Sequence, residues 1–480
     1  MPTELTYEAG SYRDRDGRVF YGRHGEVYRA LSRRALDEWR AVSGTHFFQS
    51  AMQEGKIVHT EEVDAGVSGP DLAAAAADER AWAGFLRHER IPFVSYPYEW
   101  TFGMLKDAAL LTLELLAAAL EEDMTLKDGT AYNVEFVGPR PVFIDVASFE
   151  RLTPGQPWAG YRQFCRTFLY PLFLQGYKDV AFHPFLRGCL DGITPADCSR
   201  LMSLRDLARP GVLAHVGLHA RFESDGKIRE SDPRKSLSRA GFQKSMIKNN
   251  VNNLSRIIRR LNWDPPDSKW SAYAECNNYT ESDRRRKVAF VREAVAARPL
   301  ELVWDLGCNT GEYSRIAAEN SRHVVAMDGD HLAVERLYQS LKQGPIPPGS
   351  GSILPLVANV ADPSPNLGWR GLERKSTIER GRPQLTLCLA LVHHLVIDAG
   401  VPLRELLAWL AALGSGLVIE FVDKTDPMVQ RLLRNRRDDC PDYNRPHFES
   451  CLTEFFDVSR TERLESGTRT LHFALSRSRS

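Results

Sequence analysis

The sequence predicts an α/β protein in two halves, a mixed α+β half followed by a parallel sheet that helices cover on both faces. After Asn278, short apolar runs alternate with amphipathic runs, as in "ELVWDLGCNTGEYSRIAAEN". This alternation is typical of a parallel sheet. The earlier part of the chain mixes strand-like and helical runs without that regularity. A chain of 480 residues is also too long for one ordinary core, so two or three domains are expected.

Composition bounds the function and sets the predicted boundaries. Lys+Arg and Asp+Glu both number 62, so no global charge favours nucleic acid or membrane as a partner. The eight cysteines have no CxxC spacing, which excludes the common zinc motifs and fits reduced thiols in a cytoplasmic protein. The polar N-terminus is not typical of a signal peptide. The apolar run 109–120 is too short to span a bilayer.

We expect an N-terminal accessory or substrate domain over 1–232, a basic helical connector over 233–268 and the parallel-sheet domain over 269–480. The connector includes "RKSLSRAGFQKSMIKNNVNNLSRIIRRLNW", which holds eight Lys/Arg and no acid. A solvated helix face explains such a run, and so does a role in gripping an anionic substrate.

In the first half, "RVFYG" and "KIVHTEEV" predict strands that flank a helical run, "YRALSRRALDEWRAV". A long apolar helix lies within "YPYEWTFGMLKDAALLTLELLAAAL", and a loop, "TLKDGTAYN", follows it. The pair "VEFVGPRPVFIDV" predicts a hairpin that turns at Gly138-Pro139. Residues 158–220 are expected to be mostly helical.

Asp128, Asn133 and Asp145 follow that long helix with the spacing DxxxxN and then an acid twelve residues on. The spacing weakly resembles the catalytic loop and metal-binding Asp of the protein-kinase-like fold. The resemblance implies that Asp128 takes a hydroxyl proton and that Asn133 and Asp145 hold Mg²⁺ on phosphates. Lys127 stands at the kinase Arg position, "DVA" replaces DFG and GxGxxG is missing. We therefore expect a vestigial site that positions substrate or binds nucleotide without turnover; a hairpin with solvated acids is the alternative.

In the second half the strands "ELVWDL", "HVVAMD", "ILPLVANV", "LTLCLAL" and "GLVIEFV" alternate with helices. The helices begin with "ESDRRRKVAFVREAVAA", which precedes the first strand, and include "HLAVERLYQSLKQ" and "PLRELLAWLAALG". The chain ends on "FDVSRTERL" and "RTLHFAL", separated by "ESGT". This last pair predicts an antiparallel hairpin at one edge of a seven-stranded sheet.

The loop "VWDLGCNTGEYS" after the first of these strands identifies the ligand class. No Lys follows Gly311, which excludes a P-loop, and Asn309 replaces the second glycine of a dinucleotide fingerprint. In the remaining pattern, DxGxxxG, Gly307 lets the backbone approach an adenosyl group and Gly311 lets the helix start close to the strand. Asp305 can accept from an ammonium group, directly or through water. A cationic amino-acid nucleoside without phosphate fits, so S-adenosylmethionine is the expected cofactor.

Polar residues at the ends of the next strands extend this site. Asp328 stands where an acid can bind both ribose hydroxyls, while Asp330 is the better helix N-cap. Asn359, or Asp362 close by, can meet the adenine edge.

Histidines and tyrosines complete the predicted site. His393 and His394 follow the fourth strand, where a neutral imidazole can act as general base for a hydroxyl acceptor. If the strand extends that far, adjacent residues point oppositely and only one faces the substrate. Tyr273 and Tyr279 precede the first helix and can fold over the cofactor.

In order and spacing, "DLGCNTGEYS", "VVAMDGD", "VANVADP" and "LALVHHL" resemble the class I, Rossmann-like S-adenosylmethionine-dependent methyltransferases over about 270–480. More loosely, the whole chain is similar to nodulation-protein-type methyltransferases of rhizobia. The resemblance implies S-adenosylmethionine-dependent methyl transfer, with a sugar or small metabolite as a possible acceptor. We expect the methyl group to go to an oxygen of a small molecule, although the sequence does not distinguish oxygen from nitrogen or carbon. Two alternatives stay open. One is a bifunctional or nucleotide-binding kinase-like protein with an appended methyltransferase, and the other is an RNA methyltransferase.

Overall fold

In the computed structural model, the described residues are 7–64, 82–224, 243–265, 280–344, 347–434 and 440–477. The chain divides into two compact units. The first comprises 1–136, 140–264 and 367–374, and the second comprises 137–139, 265–366 and 375–480. Among the described residues, no helix combines the length and the apolar character needed to cross a bilayer.

The first unit contains a four-stranded antiparallel sheet. Its strands are β1 (Gly17–Tyr21), β2 (Val27–Leu31), β3 (Thr60–Val63) and β4 (Gly84–His88), in the order β1-β2-β4-β3. The prediction of a helix over "YRAL" was wrong, because these residues form β2. Tyr28 and Ala30 pack in an apolar cluster with Phe20 and Phe85, and this alternation is that of a strand.

Nine α-helices surround this sheet or follow it in the described part of the first unit. The bounds are α1 (Arg33–Ser43), α2 (His46–Gln53), α3 (Phe102–Glu121), α4 (Tyr161–Phe164), α5 (Tyr170–Lys178), α6 (His183–Gly188), α7 (Pro195–Leu201), α8 (Leu218–Ser224) and α9 (Lys244–Arg260), with π-helical turns at Cys165–Leu169 and Leu213–Gly217. The helices between 158 and 220 agree with the helical content predicted there. The pairs β5 (Met124–Leu126) with β8 (Phe149–Arg151) and β6 (Val134–Val137) with β7 (Arg140–Phe143) form two-stranded sheets. The second pair is the predicted hairpin.

Helix α3 forms the centre of the first unit. Thr101 caps it by accepting from the Met104 amide at 3.2 Å, and thirteen of its twenty residues are buried. Helix α9, which the sequence places in a connector, packs on α3 within this unit. Lys248 on α9 pairs with Glu121 at 2.6 Å, so part of the basic run is paired with acids.

The second unit is built on a seven-stranded sheet. Its strands are β9 (Leu300–Leu306), β10 (Ser321–Asp328), β11 (Ser352–Val357), β12 (Leu385–Cys388), β13 (Gly416–Val422), β14 (Phe456–Arg463) and β15 (Arg469–Ser476). The order is β11-β10-β9-β12-β13-β15-β14, parallel from β11 to β13, and β15 is antiparallel to both of its neighbours. This confirms the Rossmann-like methyltransferase fold and its antiparallel edge hairpin.

Helices α10 (Glu281–Ala296), α11 (Glu312–Ala318), α12 (His331–Gln343), α13 (Leu403–Ala412), α14 (Pro427–Leu433) and α15 (Arg445–Phe455) accompany the sheet. Strand β9 lies inside the sheet, and every one of its residues except Glu301 is buried. Leu300 and Val303 of this strand join one apolar cluster with residues of α10, α11 and β10. The central strands therefore hold the carboxyl edge of the sheet rigidly.

Buried neutral histidines predict that the fold is sensitive to acid. Burial lowers the pKa of several histidines: His88 to about 3, and His183, His215, His394 and His472 to about 4. The unfolded chain binds protons at these sites near pH 6.5, before the folded chain does, so stability falls as the pH drops from about 6.5 to 4. Each site can cost about 1–2 kcal/mol at pH 5. Burial also raises the pKa of four carboxyls, that of Asp305 to about 6 among them, and these groups act in the opposite direction. We expect the histidines to dominate because they are more numerous.

We expect the melting temperature to be several degrees lower at pH 5 than at pH 7. Thermal melts at constant ionic strength measure this. His183→Gln should reduce the pH dependence, because glutamine can still donate to the Trp100 carbonyl oxygen that His183 Nε2 contacts at 2.9 Å. The exposed His24 provides the control variant, His24→Gln. Identical melting temperatures at both pH values would contradict the prediction.

Candidate functional site

A cavity of about 860 Å³ lies in the second unit at the carboxyl end of its parallel strands. The segments at the ends of four strands line it: 307–310 after β9, 328–330 at the end of β10, 359–361 after β11 and, after β12, 389–391 together with 394 and 395. Ligands of open α/β sheets bind at this edge, and the volume is within the range of small-molecule sites. The cavity is therefore the candidate cofactor site.

The loop after β9 needs glycine for two different reasons. Gly307 has a φ of +75° and Gly311 a φ of +82°, a region that side chains disfavour. A Cβ on Gly311 would lie 2.5 Å from Leu337 Cδ1, so a side chain there would push α12 away. Asn309 also has a positive φ, +49°, which asparagine tolerates better than most residues. Gly307 and Asn309 both line the cavity.

Asp305 lies at the end of β9 but is not among the residues that line the cavity. Its side chain is 2% exposed, and its carboxylate accepts from Ser314 Oγ at 2.5 Å. Burial raises the pKa of Asp305 to about 6, although the Ser314 hydroxyl bond opposes the rise. The bond ties the first turn of α11 to the end of β9, so this carboxylate supports the loop from within.

Asp328 shares the cavity with Gly307. Its carboxylate accepts from the Asn309 amide at 2.9 Å and from the Asp330 amide at 2.8 Å. Burial raises its pKa, and these amide bonds limit the rise. Asp330 instead caps α12, accepting from the amides of Leu332 and Ala333 at 3.0 and 3.2 Å. Both acids line the cavity, and Asp330 is in addition the helix cap that the sequence predicts.

Asn359 lines the cavity beside Gly329, where a Cβ on the glycine would lie 4.0 Å from the Asn359 Cβ. Its side-chain oxygen accepts from the Ala361 amide at 3.0 Å, which fixes the turn after β11. Asp362, the alternative residue for the adenine edge, is not among the lining residues. The structure therefore brings Asn359 together with Asp328 and Gly307.

The two histidines occupy different environments. His394 lines the cavity, whereas His393 is completely buried, and neither of its ring nitrogens has a hydrogen-bond partner in the part of the chain that the structure describes. The strand expected here ends at Cys388, and a turn through Ala390, with a φ of +50°, leads into a π-helix from His394 to Asp398. The two histidines do not lie on a strand, so the expectation that adjacent strand residues point to opposite faces does not apply to them. Only His394 nevertheless reaches the cavity. Burial lowers the pKa of His394 to about 4.

Several residues line this cavity without having been predicted, among them Lys287, Tyr313 and Asp398. The sequence does contain a signal for Lys287. This residue falls on the apolar stripe of α10, three residues before Phe290 and four before Val291. A lysine on a buried face is unusual enough to indicate a partner or a function. Tyr273 and Tyr279 lie outside the described residues.

In the first unit, the structure brings Asn133 and Asp145 together. Asn133 Nδ2 donates to Ser148 Oγ at 3.1 Å, and Ser148 donates in turn to the Asp145 carboxylate. Arg29, which the sequence analysis missed, lies 2.8 Å from Asp145 Oδ1. Burial alone would raise the pKa of Asp145, but Arg29 and Ser148 hold it below its usual value.

Asp128 has a different partner from the other two. Gln163 Nε2 donates to it at 3.2 Å, and burial, then the Asp145 charge, raises its pKa. No group of three or more metal-ligating side chains occurs among the described residues. The Arg29 guanidinium thus neutralises the Asp145 carboxylate. The kinase-like fold stays a prediction.

Comparison with known proteins gives one extensive match. No family model matches the chain. The nodulation protein NoeA of Rhizobium meliloti (strain 1021) is 34% identical over 471 residues, which cover 97% of this chain and 95% of that protein. The similarity therefore extends through both units.

Solved structures give weaker likenesses. The N-methyltransferase NodS from Bradyrhizobium japonicum WM9, in complex with S-adenosyl-l-homocysteine, is 12% identical with a TM-score of 0.31, covering 44% of this chain and 93% of that one. The magnesium protoporphyrin IX methyltransferase ChlM from Synechocystis PCC 6803, with bound SAM, is 16% identical with a TM-score of 0.28, covering 45% and 87%. The bifunctional kinase-methyltransferase WbdD is 18% identical with a TM-score of 0.29, covering 43% and 42%. Similarities this weak support no conclusion about this chain. The fold is assigned from the order and direction of the strands alone.

Proposed function

Because the chain belongs to the family of the nodulation protein NoeA and its second unit has a Rossmann-like methyltransferase fold, we propose that it transfers a methyl group from S-adenosylmethionine to a small molecule. One observation carries the proposal: Gly307, Asp328 and His394 line the same cavity. The loop, the acid proposed for the ribose and the candidate base therefore line one space that can hold the cofactor next to an acceptor.

The residues that line the cavity suit this cofactor. Among the described residues, five carboxylates and three basic side chains line it. The excess of acid fits a ligand with a sulfonium and an ammonium group and disfavours a polyphosphate. The sulfonium supplies an activated methyl group, so the protein mainly has to align the acceptor and remove its proton.

The residues predicted to hold the cofactor each have a defined task in this proposal. Asp328 accepts hydrogen bonds from the ribose hydroxyls, and Asn359 meets the adenine edge. Gly307 and Asn309 let the backbone approach the adenosyl group closely. Asp305 acts indirectly, because it accepts a hydrogen bond from Ser314 and so holds the loop in place. The burial and the hydrogen bonds described above for these five residues support the assignments.

The acceptor in this proposal is a hydroxyl oxygen of a sugar or specialised metabolite. Methylation of a hydroxyl releases a proton, and an imidazole that is neutral near pH 7 can take it. The depressed pKa of His394 keeps it neutral at that pH. Mass spectrometry of metabolite pools incubated with the protein and isotope-labelled cofactor tests the acceptor class. Label found in RNA rather than in small molecules would overturn that part of the proposal.

Cofactor binding can be tested without an acceptor. Calorimetric titration should detect binding of S-adenosylmethionine and S-adenosylhomocysteine to the wild type. Asp328→Ala should weaken it by roughly 1–3 kcal/mol, about 5- to 150-fold in Kd, because two charge-assisted bonds to the ribose are lost. Asp457→Ala, which removes an exposed acid on β14, serves as the control. A wild type that binds neither ligand would defeat the proposed function, and an unchanged Asp328→Ala would defeat the ribose assignment.

A further inference from the structure

Lys287 is a buried cation on the wall of the cavity. It lies on α10, and its side chain is 2% exposed. Its Nζ donates to Glu420 Oε2 at 2.6 Å and lies 4.7 Å from the centroid of the Tyr313 ring, which also lines the cavity. Burial favours the neutral amine, but the Glu420 carboxylate raises the pKa of Lys287 above its ordinary value. Lys287 therefore stays charged at neutral pH.

A second buried cation and a second acid extend this pair. Arg469 Nη1 lies 3.2 Å from Glu420 Oε1, and its Nε and Nη2 donate to Asp426 at 2.8 and 3.1 Å. The four side chains are at most 4% exposed. Two cations and two anions thus alternate behind the cavity. Buried ion pairs contribute little net stability compared with apolar packing, so stability alone is a weak reason for a lysine at this position.

We infer that Lys287 binds the carboxylate at the amino-acid end of the cofactor. The inference rests on the proposed function and names one contact within it. A carboxylate that gives up part of its hydration on entering a cavity needs a cation or several N–H donors. Of the basic residues that line the cavity, Arg284 is 57% exposed and paired with Glu312, and the exposed Arg315 donates to Ser340. Lys287 is the buried one, and Glu420 holds its ammonium group in place.

Two ligands that differ only in the carboxylate provide the test. Calorimetry with S-adenosylhomocysteine and with its decarboxylated analogue gives a preference ratio for each variant. The wild type should prefer the carboxylate ligand roughly 10- to 100-fold. Lys287→Gln should bind both ligands about equally, at the affinity of the decarboxylated one, whereas Lys287→Arg should keep most of the preference. Arg292→Gln, on the exposed side of the same helix, is the matched control.

The outcomes separate this inference from the proposed function. If the wild type binds neither ligand, the proposed function fails. If it binds both equally, or if Lys287→Gln keeps the wild-type preference, the carboxylate contact fails and the proposed function stands. Arg284→Gln tests the competing assignment, and it remains informative if Lys287→Gln does not fold. If Arg284→Gln loses the preference for the carboxylate ligand, the carboxylate contact belongs to Arg284. If Arg284→Gln keeps the preference, the result supports Lys287.

Discussion

Replacing His394 by alanine should lower the rate of methyl transfer by roughly 10²- to 10⁴-fold, the usual contribution of a positioned general base. Binding of S-adenosylhomocysteine should stay within a few-fold of the wild type, because the assigned cofactor contacts come from other residues. Incorporation of labelled methyl groups into the small-molecule pool measures the rate, and calorimetry measures the binding. An unchanged rate in His394→Ala would show that the proton leaves by another path.

The adjacent histidine provides the matched control. His393 is completely buried and outside the set of lining residues, so His393→Leu should leave the rate within a few-fold of the wild type. Leucine has a similar volume and leaves no ring nitrogen to be buried without a partner, so the substitution should not destabilise the fold strongly. A large loss of rate in His393→Leu, with the fold intact, would reverse the assignment of the two residues.

The pH profile adds a third readout for His394. Burial lowers its pKa to about 4, so the neutral, proton-accepting form dominates above that value. The rate should therefore be level with respect to this group between about pH 6 and 8 and should fall only as the pH approaches 4. An acid limb centred near 6.5 would mean that the catalytic imidazole is solvated and is not His394 as the structure places it.

Local patterns predicted the second unit well because its elements are specified by neighbours in the sequence. Strand β9 carries the buried apolar residues 302–304 directly before Asp305, and Gly307 and Gly311 follow at positions where the backbone has positive φ. Asp330 caps α12 through amides two and three residues away. Such short-range requirements can be read directly from residue types and spacing.

The features that were missed depend on contacts between distant parts of the chain. Glu420 is paired with Lys287, 133 residues earlier, and nothing in the strand "GLVIEFV" reveals that partner. Within the first unit, Glu373 accepts from Tyr12 Oη at 2.8 Å across 361 residues, so the inclusion of 367–374 in that unit could not be predicted. "YRAL" was assigned to a helix because the helical run after it extends the same apolar period, and tertiary packing decided otherwise.

Glu420→Ala should destabilise the second unit by about 3–5 kcal/mol, the typical cost of removing one partner from a buried ion pair. Lys287 would lose the carboxylate that holds its charge in an enclosed site, while Arg469 would keep Asp426. Urea denaturation of the full chain at pH 7 measures the change. Glu405→Ala removes an acid that is 68% exposed on α13, and this control should cost less than about 0.5 kcal/mol.

The double variant Lys287→Met/Glu420→Leu distinguishes the cost of an unpaired charge from the value of the pair. Apolar side chains of similar volume replace both partners, and the Arg469–Asp426 pair remains intact. Since replacing a whole buried pair is often neutral or stabilising, this variant should recover most of the stability that Glu420→Ala loses. It should nevertheless lose the preference for a carboxylate ligand, because the cation on the cavity wall has gone. If the double variant is as unstable as Glu420→Ala, the network is needed for folding itself, and the presence of a lysine at position 287 requires no ligand.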